Sequence, residues 1–175
     1  MEKLINIPDE IEVNIDNFKV SVKGPNGNLE RDFFSPLFKN EIIIKKEDKK
    51  IFLSIKSEKR KIKSMFGTIE AHIKNMFKGV TEGFTVKLKI VYMHFPMKVE
   101  VSGKEILINN FLGERVPRRA KIIGDCKIDV KDDVVTVSGI SRDDVGQTAA
   151  NMEKATWIKS RDRRVFQDGI FRLSD

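Results

Sequence analysis

The residues of this 175-residue chain best suited to bond-making chemistry are two histidines, one cysteine and two pairs of adjacent aspartates. A nucleophile needs a base within hydrogen-bond reach, and a metal needs several ligands converging on one point. His72 sits in a helical pattern and His94 in the stretch Tyr92-Met93-His94-Phe95, neither with a cysteine or paired carboxylates at ligand spacing. One residue off its apolar stripe, His72 reads as a partly exposed helix histidine. Cys126 lies between Asp125 and Lys127, just before a strand pattern and far from either histidine, so a small buried thiol is expected. Asp132-Asp133 fits a turn. Asp143-Asp144 fits the first turn of a helix, where carboxylates complement the dipole. The glycines of Lys23-Gly24-Pro25-Asn26-Gly27 invite a phosphate-loop reading, but the Lys-Ser/Thr end of such a loop is missing and a Pro-Asn-Gly turn explains them. The chain is therefore expected to be no enzyme, with no metal, cofactor or small-molecule substrate.

Charge is what remains. With 33 Lys+Arg against 26 Asp+Glu, the net charge is +7, which points to a polyanionic partner. Eight of the ten arginines lie beyond Glu82. An arginine fork gives phosphate two parallel hydrogen bonds and is weakly hydrated, so it binds better than lysine. The arginines gather in a loop holding Gly113, Arg115, Arg118, Arg119 and Lys121, and in a tail holding Lys159, Arg161, Arg163 and Arg164. Arg172 adds to them near the C-terminus, and these ten residues are the candidate nucleic-acid contacts. Both segments are expected to be irregular backbone, the usual carrier of binding residues; the plainer alternative is two solvated loops with scattered charge. Lys45, Lys46, Lys49 and Lys50, interleaved with Glu47-Asp48, read as a solvated hairpin tip.

Other features narrow the partner. Trp157 and Tyr92 are each unique and most of the 12 Phe fit core positions, which favours folded RNA held by its backbone over bases stacked on exposed aromatics. A membrane-surface role would want a basic amphipathic helix, whereas the second helix pattern opens with acids. No stretch approaches the ~18 consecutive apolar residues of a membrane span. The N-terminus lacks a signal peptide's apolar region, and a single cysteine suits a reducing cytosol.

The elements that must position these residues can be read from the apolar period. Ile11, Val13 and Ile15 alternate, then Phe18, Val20 and Val22, with a turn at Asp16-Asn17. Ile42 and Ile44 face Ile51, Leu53 and Ile55 across the charged turn Lys45 to Lys50. Ile62, Met65, Phe66, Ile69, Ile73, Met76 and Phe77 then form one helical stripe, with Ser57 expected as N-cap and Gly79 as the terminating glycine. After a linking strand (Val86, Leu88, Ile90, Tyr92) the plan repeats. Val99 and Val101 turn into Ile106 and Ile108, and Ile128 and Val130 into Val135 and Val137. A helix with Ser141 as N-cap comes next, its stripe Val145, Ala149, Met152 and Thr156. Ile106 lies 86 residues after Val20, and Ile128 lies 86 after Ile42. The pattern predicts an α+β fold of two tandem duplicated domains, 1–80 and 81–175, each a small antiparallel sheet on one main helix.

Longer strings add a resemblance. His72-Ile-Lys-Asn-Met-Phe-Lys-Gly-Val-Thr-Glu-Gly-Phe84 closely resembles the helix-to-linker signature of large-subunit ribosomal protein six, called nine in eukaryotic ribosomes. So do Val22-Lys-Gly-Pro-Asn-Gly27, Asn110-Phe-Leu-Gly-Glu114, Val145-Gly-Gln-Thr-Ala-Ala-Asn151 and Arg161-Asp-Arg-Arg-Val-Phe-Gln-Asp-Gly-Ile-Phe171. The resemblance runs from about Ile7 to Phe171. Its third and last strings are similar to the archaeal and eukaryotic branch. It implies two duplicated domains and a cytoplasmic, ribosomal protein that supports translation. The implied partners are large-subunit rRNA and neighbouring ribosomal proteins, with the RNA bound mainly by the C-terminal domain near the factor-binding region and the sarcin-ricin loop. The rival reading is a free-standing nucleic-acid-binding module working outside the ribosome.

Overall fold

A computed structural model describes residues 2–36, 41–57, 59–159 and 161–173. The chain divides into two compact units, Met1–Gly83 and Phe84–Asp175. The first holds β1 (Glu2–Asn6), β2 (Glu12–Asp16), β3 (Lys19–Gly24), β4 (Gly27–Asp32), β5 (Ile42–Glu47), β6 (Lys50–Ile55) and α1 (Arg60–Thr81). Its two antiparallel sheets run β1-β6-β5 and β2-β3-β4. Each predicted hairpin is thus widened by a third strand, β1 or β4. Alternation sends Val20, Val22, Ile42, Ile44, Ile51, Leu53 and Ile55 inward, where α1 meets them with Ile62, Phe66, Ile69, Ile73, Met76 and Phe77. Between Asp48 and Lys49 the second hairpin turns tightly, so Lys45 to Glu47 belong to β5 and not to an open tip. Lys46 donates to the Val13 carbonyl and Lys49 pairs with Asp9.

Both ends of α1 differ from expectation. Lys59 precedes the helix without a side-chain cap, and Ser57 only accepts a long 3.5 Å bond from the Lys59 N–H. The helix passes through Gly79 and Val80 to Thr81, and Gly83, at φ 77°, ends it by donating to the Lys78 carbonyl. A helical glycine costs only ~1 kcal/mol, and the contacts made just beyond Gly79 offset that cost. Val80 is fully buried, and Asn26 in the β3–β4 turn donates its backbone N–H to the Val80 carbonyl and its side chain to the Thr81 carbonyl. Those bonds satisfy carbonyls the helix end would leave bare. The approach requires Gly24, because a Cβ there would stand 2.7 Å from the Val80 side chain. The units divide after Gly83.

The second unit repeats the plan with β7 (Phe84–Val91), β8 (Lys98–Ser102), β9 (Glu105–Asn109), β10 (Arg118–Lys121), β11 (Lys127–Lys131), β12 (Val134–Gly139), α2 (Arg142–Ala155) and β13 (Gly169–Arg172). Its sheets run β10-β9-β8 and β11-β12-β7-β13. The strand expected as a linker, β7, is instead an inner strand and the counterpart of β1. On its other side lies β13, which has no equivalent among the described residues of the first unit. Ser141 caps α2 by accepting the Asp144 N–H at 3.3 Å, and Val145, Ala149, Met152 and Thr156 face the core. The fold is α+β, built twice.

Candidate nucleic-acid interface

Where β3 and β4 are joined by Pro25-Asn26, β9 and β10 are joined by residues 110–117. That insertion carries the basic loop, and it is built rather than slack. Asn110, Leu112 and Gly113 all have left-handed φ (58°, 50° and 77°), a conformation that costs the two non-glycine residues of order 1–3 kcal/mol each. Two anchors hold them there. Phe111 is fully buried, and the Asn110 amide donates to the Pro96 carbonyl at 3.1 Å. A Cβ on Gly113 would lie 3.3 Å from the Phe95 ring.

Arg118 opens β10, so the second half of the predicted loop is strand and not irregular backbone. Its guanidinium spends four donors inside the protein. Two go to the Glu114 carboxylate at 2.6 and 2.8 Å, and two to the Ala155 and Trp157 carbonyls at 2.9 and 3.2 Å. It also stacks 4.2 Å from the centroid of the Phe111 ring. These bonds hold the Glu114 carboxyl below the ordinary glutamate range, with the Arg118 hydrogen bond the main cause. The same arginine thereby ties the loop to the C-terminal end of α2.

The other basic residues point outward. Arg115, Lys121, Lys159, Arg161, Arg163, Arg164 and Arg172 are exposed. Arg119 is exposed too and forms a 3.6 Å ion pair with Glu105. In the tail, whose Ser160 lies outside the described residues, Asp162 accepts the Arg164 N–H at 2.9 Å and Arg161 stacks 4.8 Å from the centroid of the Phe166 ring. The tail then docks as β13, where Ile170 N–H donates to the Thr156 hydroxyl and Arg172 N–H to the Glu153 carboxylate.

Loop and tail meet at one hollow of about 400 Å³, lined by Arg118, Arg119, Lys154, Ala155, Trp157 and Lys159. Beyond Trp157 lies a second hollow of about 680 Å³ that takes in Arg163 and Arg164. Arg115, Lys121, Arg161 and Arg172 line neither. Lys154 and Trp157 are the residues that sequence reasoning missed. Their signal is a tryptophan flanked by lysines at a helix end, whereas by sequence Trp157 counts only as a lone aromatic that favours backbone binding over base stacking. Aromatic exposure is also wider than expected: Phe33, Phe66, Phe77 and Phe111 are buried, whereas Phe34, Tyr92, Phe95, Trp157 and Phe171 are exposed.

The enzyme-like residues are not brought together. The Cys126 thiol is pushed up chiefly by burial, away from a reactive thiolate, and His72 packs its ring 6.2 Å from that of Phe33. Among the described residues, no cluster of three or more His, Cys, Asp or Glu could hold a metal, and no helix is long and apolar enough to cross a membrane.

Comparison with known proteins agrees with this picture of two repeats. The family model described as "Ribosomal protein L6" matches residues 7–83 and again 95–169, once in each unit. The chain belongs to the ribosomal protein L6 family. Members of this family are ribosomal proteins and not enzymes. Among its archaeal relatives, the "Large ribosomal subunit protein uL6" of Methanobrevibacter smithii is 49% identical over 97% of this chain and 93% of that protein. The protein of the same name from Methanothrix thermoacetophila is 46% identical over 95% and 93%. That from Staphylothermus marinus is 49% identical over 95% and 90%.

Proposed function

We propose that this L6-family protein is a structural component of the large subunit of the cytoplasmic ribosome, supporting translation. It holds large-subunit rRNA mainly through its second unit, near the translation-factor-binding region, beside neighbouring ribosomal proteins. The observation that carries the RNA reading is the hollow between loop and tail, whose lining has four cations and no carboxylate. Phosphate oxygens suit such a lining, because charge-assisted N–H···O bonds are the strong ones. Arg118 serves there as the clamp, and the exposed Arg119, Lys154 and Lys159 reach the backbone, with Arg163 and Arg164 alongside. Gly113, Arg115, Lys121, Arg161 and Arg172 supply further contacts along the same unit. A tagged copy run through a gradient at physiological salt should travel with the large subunit. Remaining at the top of the gradient would instead support a free-standing nucleic-acid-binding module.

A further inference from the structure

Trp157 is the residue that backbone binding leaves unexplained. The residue is 53% exposed, an unusual place for the largest aromatic unless something covers it. Its backbone is fixed on both sides, the N–H donating to the Lys154 carbonyl at 3.2 Å and the carbonyl accepting from Arg118 at 3.2 Å. The ring is thus a mounted wall between two hollows of opposite character. On one side, besides Trp157 itself, are four cations and Ala155. On the other, Phe166 and Phe171 share the lining with Gln167, Arg163, Arg164, Glu153 and the buried Asp168.

A polar lining with flat apolar walls does not match a continuous duplex, whose bases are already stacked and paired. It matches one base that has left its stack, since exposed aromatics beside a basic track are how proteins hold unpaired bases. We infer that the aromatic hollow beside Trp157 receives a single unpaired nucleobase of the bound RNA, while the neighbouring cationic hollow takes the adjoining phosphate. About 680 Å³ is ample for one base. Gln167, Arg163, Arg164 and Asp168 offer both donors and acceptors to its edge. This rests on the RNA-binding reading above and adds the kind of RNA that fits.

The sole tryptophan makes a direct test possible, because its emission reports this site alone. The full chain is titrated with a 20-base-pair RNA duplex, with the same duplex carrying one bulged adenosine, and with free AMP. Bulged RNA should quench Trp157 more strongly than the paired duplex and bind roughly tenfold tighter, the scale of one base–aromatic stack. Millimolar AMP should leave the emission unchanged. Trp157→Leu, read by fluorescence anisotropy of labelled RNA, should bring the bulged and the paired duplex to equal affinity. Equal quenching and equal affinity for the two RNAs would overturn the base pocket but leave backbone binding standing. Quenching by AMP at the concentrations that suffice for bulged RNA would mean a free-mononucleotide site, and would also overturn it. Failure of either RNA to bind at physiological salt would bring down the RNA reading and the base pocket together.

Discussion

Arg118 stands among the basic residues of the loop, yet four of its donors close bonds within the protein. Its side chain is 28% exposed against 69% for Arg119, and that contrast separates a clamp from a contact. Arg118→Lys keeps the charge but loses the planar fork that serves a carboxylate and two carbonyls at once. It should cost about 1–3 kcal/mol by chemical denaturation. Arg119→Lys should stay within about 0.5 kcal/mol, since it breaks only a long surface pair. Equal losses would show that Arg118 holds nothing. Acid adds a signed check through Glu114, whose carboxyl is lowered in the folded state. Its contribution is present above the pKa of an unfolded glutamate and disappears as pH falls through the lowered folded value. Glu114→Gln should flatten that part of the acid-side stability curve. The sequence shows Arg118 as one basic residue among several. Its carbonyl partners lie 37 and 39 residues away, and local charge patterning carries no information about them.

Elements with an apolar period could be read directly. The stripes of α1 and α2 and the alternation in β3, β6, β9 and β12 are buried where the period puts them, because a face that must leave water leaves a repeat in the sequence. Strands without that repeat were missed. β4 reads Gly-Asn-Leu-Glu-Arg-Asp and β10 reads Arg-Arg-Ala-Lys, each with a single inward apolar residue. Both exist because the neighbouring strand offers a ladder of backbone partners, which is a tertiary cause. β13 is likewise recruited by the free edge of β7. The same logic makes α1 the element to test. Phe66, Ile69 and Ile73 are each 1% exposed or less, packed under the sheets of the first unit. Phe66→Ala should cost about 3–5 kcal/mol and Ile73→Ala about 2–5 kcal/mol. A loss under half a kcal/mol at either position would mean that the helix is not what closes this core.

Across the whole molecule, duplication gives two units with one strand plan, and the second differs by two additions: the 110–117 insertion and the tail that ends in β13. The insertion carries Arg115 and leads into Arg118 and Arg119 of β10, and the tail carries Arg161, Arg163, Arg164 and Arg172, so most of the arginines lie in or beside the segments where the copy departs from the shared plan. The repeat could be read because the 86-residue offset survives in strand spacing; the meeting of insertion and tail could not, since it depends on how β10 and α2 pack. Binding by phosphate contact has a signature that shape alone lacks. Each neutralised phosphate releases counterions, so log K should fall with log[salt] by ~0.7–0.9 per contact. Arg119, on β10 just past the insertion, and Lys159, in the tail, line the same hollow. Replacing both with Gln should therefore lower the slope by ~1.4–1.8 and weaken rRNA binding at every salt concentration. The matching change at Lys49 and Lys50 of the first unit, where Lys49 is already paired with Asp9, should move the slope by much less than one contact's worth. If the Lys49/Lys50 variant lost its salt dependence while the Arg119/Lys159 variant kept it, the RNA surface would belong to the first unit and the two additions would need another purpose.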